Sequence, residues 1–261
     1  MSYARLYISS DDRQINEDTN DFTVYLDNAI IDPKTVSVIS VDMPNTVYPF
    51  KVSNSKFWYF VRPVGSVTPL PFSVDIPTNT NFETVQDFLN AVNPGFLNNG
   101  HNFLFTYSSA TGKLSWGGIP PTNNEYKPMG LFDVSNPSYF NSAQNKLGYL
   151  ANEYTYNNIA TPFEADGCFN MLATNAYYFE CNLSLTESLT TSLTQSPNIM
   201  FKIPNDKNFG GILHYQSKSD EHIIELYKDY INKINFRVLD DEYEVVNLNG
   251  GSVSIELHFT F

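Results

Sequence analysis

Residues 252–261 read Ser-Val-Ser-Ile-Glu-Leu-His-Phe-Thr-Phe. Val253, Ile255, Leu257, Phe259 and Phe261 alternate with Ser252, Ser254, Glu256, His258 and Thr260. A period of two puts one set on each face of a strand, so the segment reads as a strand with one buried face. The pattern runs to Phe261, which predicts an end pinned in a sheet. A closing core strand needs earlier strands to pair with, and this points to an all-β protein with long-range pairing.

Working back from that strand, Asn249-Gly250-Gly251 is a hairpin-type turn. It should join the closing strand to another over residues 243–248. Asp240-Asp241-Glu242 reads as a solvated acidic turn after an alternating strand over 231–239. Further strands are expected at 177–185, 198–203 and 211–215. Near the start, strands are expected at 5–9, 22–27, 35–43 and 56–62, with 10–21 as a polar loop or arm. The middle differs in character. Prolines surround a short strand at 72–76. Phe82, Val85, Leu89 and Val92 fall at helical spacing, with Asn81 as cap and Asn93-Pro94-Gly95 as stop. A hairpin follows over 103–107 and 113–116, then a loop-rich stretch, 117–162. These elements predict a single jelly-roll barrel of about eight strands, residues 1–62 and 165–261, interrupted by a helix-containing insertion domain, 63–164.

The chain has 261 residues, enough for a sizeable core. Aromatic residues make up 15% and charged residues only 16%, a balance that suits β-sheet and apolar subunit contact. The net charge is −13 and no basic run occurs, which argues against direct binding of nucleic acid. No signal pattern opens the chain and no apolar run is long enough to span a bilayer. Two cysteines are too few for a disulfide framework, and Cys181 falls on the apolar face of its strand as a core residue.

Motifs for chemistry are lacking. There is no nucleophile elbow and no phosphate loop. The four histidines, His101, His214, His222 and His258, have no zinc spacing, although His214 and His222 flank a strand end where they could meet. His258 lies on a polar strand face and reads as solvated. No metal or cofactor is expected, and no catalytic residue. Trp58 and Trp116 are candidates for stacking on a sugar ring, with core or subunit packing as the competing reading. A chain of this size without such motifs reads as a binding or structural protein, not an enzyme.

The order of the segments carries a resemblance. Asp21-Phe-Thr-Val-Tyr-Leu-Asp27 precedes Val36-Ser-Val-Ile-Ser-Val-Asp-Met-Pro-Asn-Thr-Val-Tyr48. Phe72-Ser-Val-Asp-Ile-Pro77, the helix from Thr84 to Val92 and Phe105-Thr-Tyr-Ser-Ser-Ala-Thr-Gly-Lys-Leu114 follow. Ile231–Asp240 and Val246–Phe259 close the series. Together they resemble the penton (minor capsid) proteins of virophages and Polinton-like viruses. Val253 stands where that family often has an aromatic, and Asn81-Phe82 where it often has Gly-Tyr. The resemblance implies a vertical single jelly roll with an insertion domain, forming homopentamers at the icosahedral fivefold vertices beside a major capsid protein. It implies location in the virion after synthesis in the host cytoplasm. The alternative is a carbohydrate-binding, lectin-like jelly roll that attaches to a host surface glycan or receptor through Trp58, Trp116 or the Tyr-rich stretch 126–156.

Overall fold

The computed structural model describes residues 2–63, 65–118, 124–128, 142–150, 154–157, 161–183, 198–218 and 223–261. The chain divides into two compact units. Unit 1 comprises Met1–Val47 and Thr174–Phe261, and unit 2 is Tyr48–Ala173. In chain order the first strands are β1 (Tyr3–Ser9), β2 (Asp21–Ile31), β3 (Thr35–Pro44), β4 (Lys56–Pro63) and β5 (Leu70–Asp75). Helix α1 (Val85–Asn98) follows, then β6 (Phe103–Ser108), β7 (Lys113–Gly118), β8 (Asn124–Pro128) and β9 (Phe163–Glu164). The last are β10 (Ala176–Cys181), β11 (Ile199–Pro204), β12 (Ile212–Gln216), β13 (Ile224–Glu225), β14 (Tyr230–Leu239) and β15 (Ser254–Thr260).

Unit 1 holds two antiparallel sheets. One runs β1-β15-β3-β12, with β13 also on β3, and the other runs β11-β10-β14-β2. Numbered by their order within the unit and leaving out the two-residue β13, the eight strands lie 1-8-3-6 and 5-4-7-2. This is jelly-roll order, two interleaved Greek keys. Among the described strands none pairs across from one sheet to the other, so the roll is a sandwich of two open sheets. The closing strand β15 lies between β1 and β3, with Leu6 opposite Leu257 and Phe259 opposite Val36. Val253, Ile255, Leu257 and Phe259 are buried, as the period of two requires. Phe261 lies beyond the strand and is exposed.

Two local expectations give way to side-chain chemistry. No strand forms over 243–248. Tyr243 adopts a left-handed φ of 60°, and the Asp240 carboxylate accepts the N–H groups of Glu242 (2.9 Å) and Glu244 (3.0 Å). Asp240 is therefore a buried turn-former and not a solvated acid. Residues 10–21 do not reach outward as an arm. Arg13 donates to the carbonyls of Ser10 and Glu17, both at 2.8 Å, and Glu17 accepts the N–H of Thr23 at 2.7 Å. Ser10 is fully buried, exchanging hydrogen bonds with Val253.

Unit 2 has two three-stranded sheets, β5-β4-β8 and β6-β7-β9, with α1. Residues 56–62 do not join the jelly roll as their pattern predicts: β4 pairs with β5 and β8 in unit 2. Its inward residues Phe57, Tyr59 and Val61 join an aromatic core, which is why it belongs to this unit. Helix α1 also differs from expectation. Thr84 is the N-cap, in a reciprocal capping box with Asp87, and the helix continues through Pro94. An interior proline costs about 3 kcal/mol. The last turn buries Phe96 completely against Phe57, Tyr59, Phe105 and Trp116, which offsets that cost. The helix ends in a Schellman motif: Gly100, at φ 76°, donates to Leu97 O, and His101 donates to Phe96 O. Gly95 lets α1 approach β5, because a Cβ there would sit 2.5 Å from Val74 Cγ1.

Candidate functional site

The two tryptophans are not brought together. Trp116 is fully buried, with ring centroids of Tyr126 (4.8 Å), Tyr59 (5.1 Å), Phe103 (5.2 Å) and Phe57 (5.3 Å) around it. No face is open to a sugar, so the stacking expectation is corrected to core packing. Alternation on β7 turns Trp116 into the space filled by β4, β6 and β8. Trp58 lies on the other face of β4 from Phe57 and Tyr59. It is half-buried, with Lys56 Nζ 6.0 Å from its ring centroid. The Tyr-rich stretch divides in the same way. Tyr126 and Tyr149 are core, and burial raises both hydroxyl pKa values. The Tyr156 ring lies beneath Arg62 (4.1 Å) and near Lys127 Nζ (4.9 Å). Residues 129–141 and 151–153 of that stretch fall outside the described residues.

The histidines have separate surroundings. His101 Nδ1 lies 2.9 Å from Tyr59 Oη, which also accepts from Asn99 Nδ2 at 3.2 Å. Burial lowers the His101 pKa and pushes Tyr59 up to about 12. The fold thus favours neutral imidazole. Stability is full above the ordinary value of 6.5 and falls as the pH drops below it, because the unfolded chain takes up the proton first. His101→Gln should flatten this acid-side loss in thermal melts between pH 7 and pH 5, and an unchanged pH slope would refute the role. His214 pairs with Asp42, and His258 lies edge-on to Tyr3 at 5.4 Å. His222 is outside the described residues, so its meeting with His214 lies there too. Among the described residues no three of His, Cys, Asp and Glu gather as a metal site would need. Cys181 is buried, its thiol pushed up to about 12 by desolvation.

Unit 1 exposes apolar side chains on its edges and at one end. Among the described strands β1 and β2 pair on one side only, and so do β11 and β12 at the other edge. Strand β1 presents Tyr3, Arg5 and Tyr7 outward, and the two tyrosines are 69% and 70% exposed. Arg5 reaches Glu256 at 3.2 Å, and contacts with Tyr7 and Glu256 raise its pKa. Backbone bonds gather Ser2, Lys34, Leu226, Asp229 and Phe261 at the end where β3 starts. There Ile31 faces Tyr230 across β2 and β14, both exposed, and Tyr227 is 73% exposed. The alternation made the outward positions legible. Which of them would hold tyrosine in the open depended on the strand order.

In unit 2 a groove follows the seam between α1 and β6. One part, about 570 Å³, is bordered by Thr84, Gln86, Leu89, Thr106 and Tyr107. Past Asn93 lies a second part of about 320 Å³, beside Asn90, Leu97 and Asn102. Between them the Asn93 carboxamide grips the edge of β6, accepting from Phe105 N (2.7 Å) and donating to Phe105 O (3.1 Å). This groove is not legible in the sequence, because helical spacing shows which face of α1 is apolar but not which strand it packs on.

No family model matches the chain, and no curated protein matches it. Its structure is similar to the crystal structure of the selenomethionine-labelled mavirus penton protein, with a TM-score of 0.56 and 11% sequence identity. The alignment covers 99% of this chain and 99% of that one. At that identity the likeness is one of fold: this chain has a penton-like fold, with its jelly roll in unit 1.

Proposed function

We propose that this protein is a structural capsid protein that forms homopentamers at the fivefold vertices of an icosahedral virion, next to a major capsid protein. The observation that carries this reading is the extent of the likeness, which takes in both units and leaves 1% of either chain unmatched. A local match would speak only for a common barrel. The surface chemistry supports the same reading. A closed ring needs head-to-tail contacts in which one patch meets a different patch on the next copy. Unit 1 offers two unlike edges, a β1–β2 side with Tyr3, Arg5 and Tyr7 and a β11–β12 side with Ile212 and the Asp42–His214 pair. Exposed tyrosine with few charges is interface-like composition. The role proposed is structural and not catalytic.

Mass photometry of the purified protein, followed by negative-stain imaging of particles, tests the proposal. The expected species is a ring near 148 kDa, five times the 29.6 kDa chain. A protein that stays monomeric at high concentration and is absent from purified particles would overturn it.

A further inference from the structure

We propose that the groove between α1 and β6 is a binding site for a neutral saccharide. Its size comes first. The larger part, about 570 Å³, lies within the range of sites that hold small ligands, about 300–1,000 Å³. Its chemistry comes second. None of the residues that border either part carries a charge, in a chain whose net charge is −13. Amides and hydroxyls take that place: Asn102 and Tyr107, with Gln86 and Asn90, which bond each other at 2.9 Å and keep Gln86 Oε1 and Asn90 Nδ2 for a ligand. The Thr84 hydroxyl is held by Asp87 in the helix cap, and Thr106 Oγ1, which donates to Ser115 O, can still accept. Such groups exchange hydrogen bonds with sugar hydroxyls in both directions. Leu89 supplies an apolar floor, and the ring of Tyr107, 38% exposed, is available for stacking on a pyranose face.

An extended peptide is the rival occupant, because β6 is a sheet edge and edges accept added strands. Asn93 decides against it. Strand addition needs the N–H and C=O of successive alternate residues, and the Asn93 carboxamide already takes both from Phe105, in the middle of β6. A ligand shorter than a strand fits beside that block, and a continuous strand does not. The acidic surface elsewhere disfavours sulfated or carboxylated sugars, and the groove has no cation to offset it.

The test is an array of neutral and acidic oligosaccharides probed with the full chain, then calorimetry with the best neutral binder. Tyr107→Ala and Gln86→Ala are the variants, and each keeps the core of unit 2. Neutral oligosaccharides should bind, and Tyr107→Ala should weaken binding about tenfold, the loss of one stacked ring. Binding should survive Ile15→Ala, a surface change in unit 1 outside the strands of both edges named above. Silence across the array would overturn the proposal, and so would binding that neither groove variant weakens. Capture of extended phage-displayed peptides that the same variants abolish would assign the groove to a peptide instead. Pentamer formation is not read in these measurements, so they bear on the groove alone.

Discussion

A chain that lacks residues 252–261 is expected to lose the jelly roll altogether. The deletion removes β15 from between β1 and β3, leaving β1 with no strand partner among the described strands. It also removes Val253, Ile255, Leu257 and Phe259 from the core. Truncating one large core side chain costs about 2–5 kcal/mol. Losing four together, about 8–20 kcal/mol if additive, is comparable to the whole stability of a typical domain, about 5–15 kcal/mol. Limited proteolysis with mass spectrometry checks it. Residues 1–47 and 174–251 should be digested quickly, with a fragment near 48–173 persisting. A truncated chain that keeps the native thermal transition of unit 1 would contradict the central place of β15.

Trp116→Ala should be the most damaging single substitution in unit 2, at about 3–5 kcal/mol. The indole is fully enclosed and touches rings from β4, β6, β8 and α1, so its removal leaves a cavity where four elements meet. Trp116→Phe should cost less. Trp116 Nε1 is buried with no acceptor among the described residues, and its loss relieves an unpaired donor that costs about 1–3 kcal/mol. Trp58→Ala, on the outward face of β4, should stay within about 1 kcal/mol. Urea unfolding of the three variants gives the ranking. A Trp116→Ala cost near that of Trp58→Ala would mean that the two rings share an outward setting.

Much of the jelly roll was legible because strands buried on one face announce themselves by a period of two. The alternation at 231–239 and 252–261 corresponds to β14 and β15. Continuous apolar character at 35–43 corresponds to β3, which pairs with β15 and with β12 and β13. What failed depended on partners distant in the chain. Pro94 reads as a stop until Phe96 is seen seated among four rings. Residues 56–62 read as another barrel strand until β5 and β8 are found beside it. Trp58 and Trp116 look alike in sequence, and only the face each takes separates core from surface. The groove was illegible for the same reason, since it is a property of a helix and a strand together.

The division of unit 1 into two stretches sets an order of events on the ribosome. Strands β1, β2 and β3 emerge first and cannot complete a sandwich, because β10, β14 and β15 are still to be made. Unit 2 is continuous, so its 126-residue span can fold during synthesis, while three unpaired strands wait upstream. Tyr3 meets Thr260 only after everything between them has been translated. The nascent chain therefore exposes β1 and β3 for the whole time that unit 2 takes to appear, about 6–25 s at 5–20 residues per second. That interval is when copies on one message are most open to mispairing. Chaperone binding should begin on nascent chains in this interval and end when β15 closes the sheet.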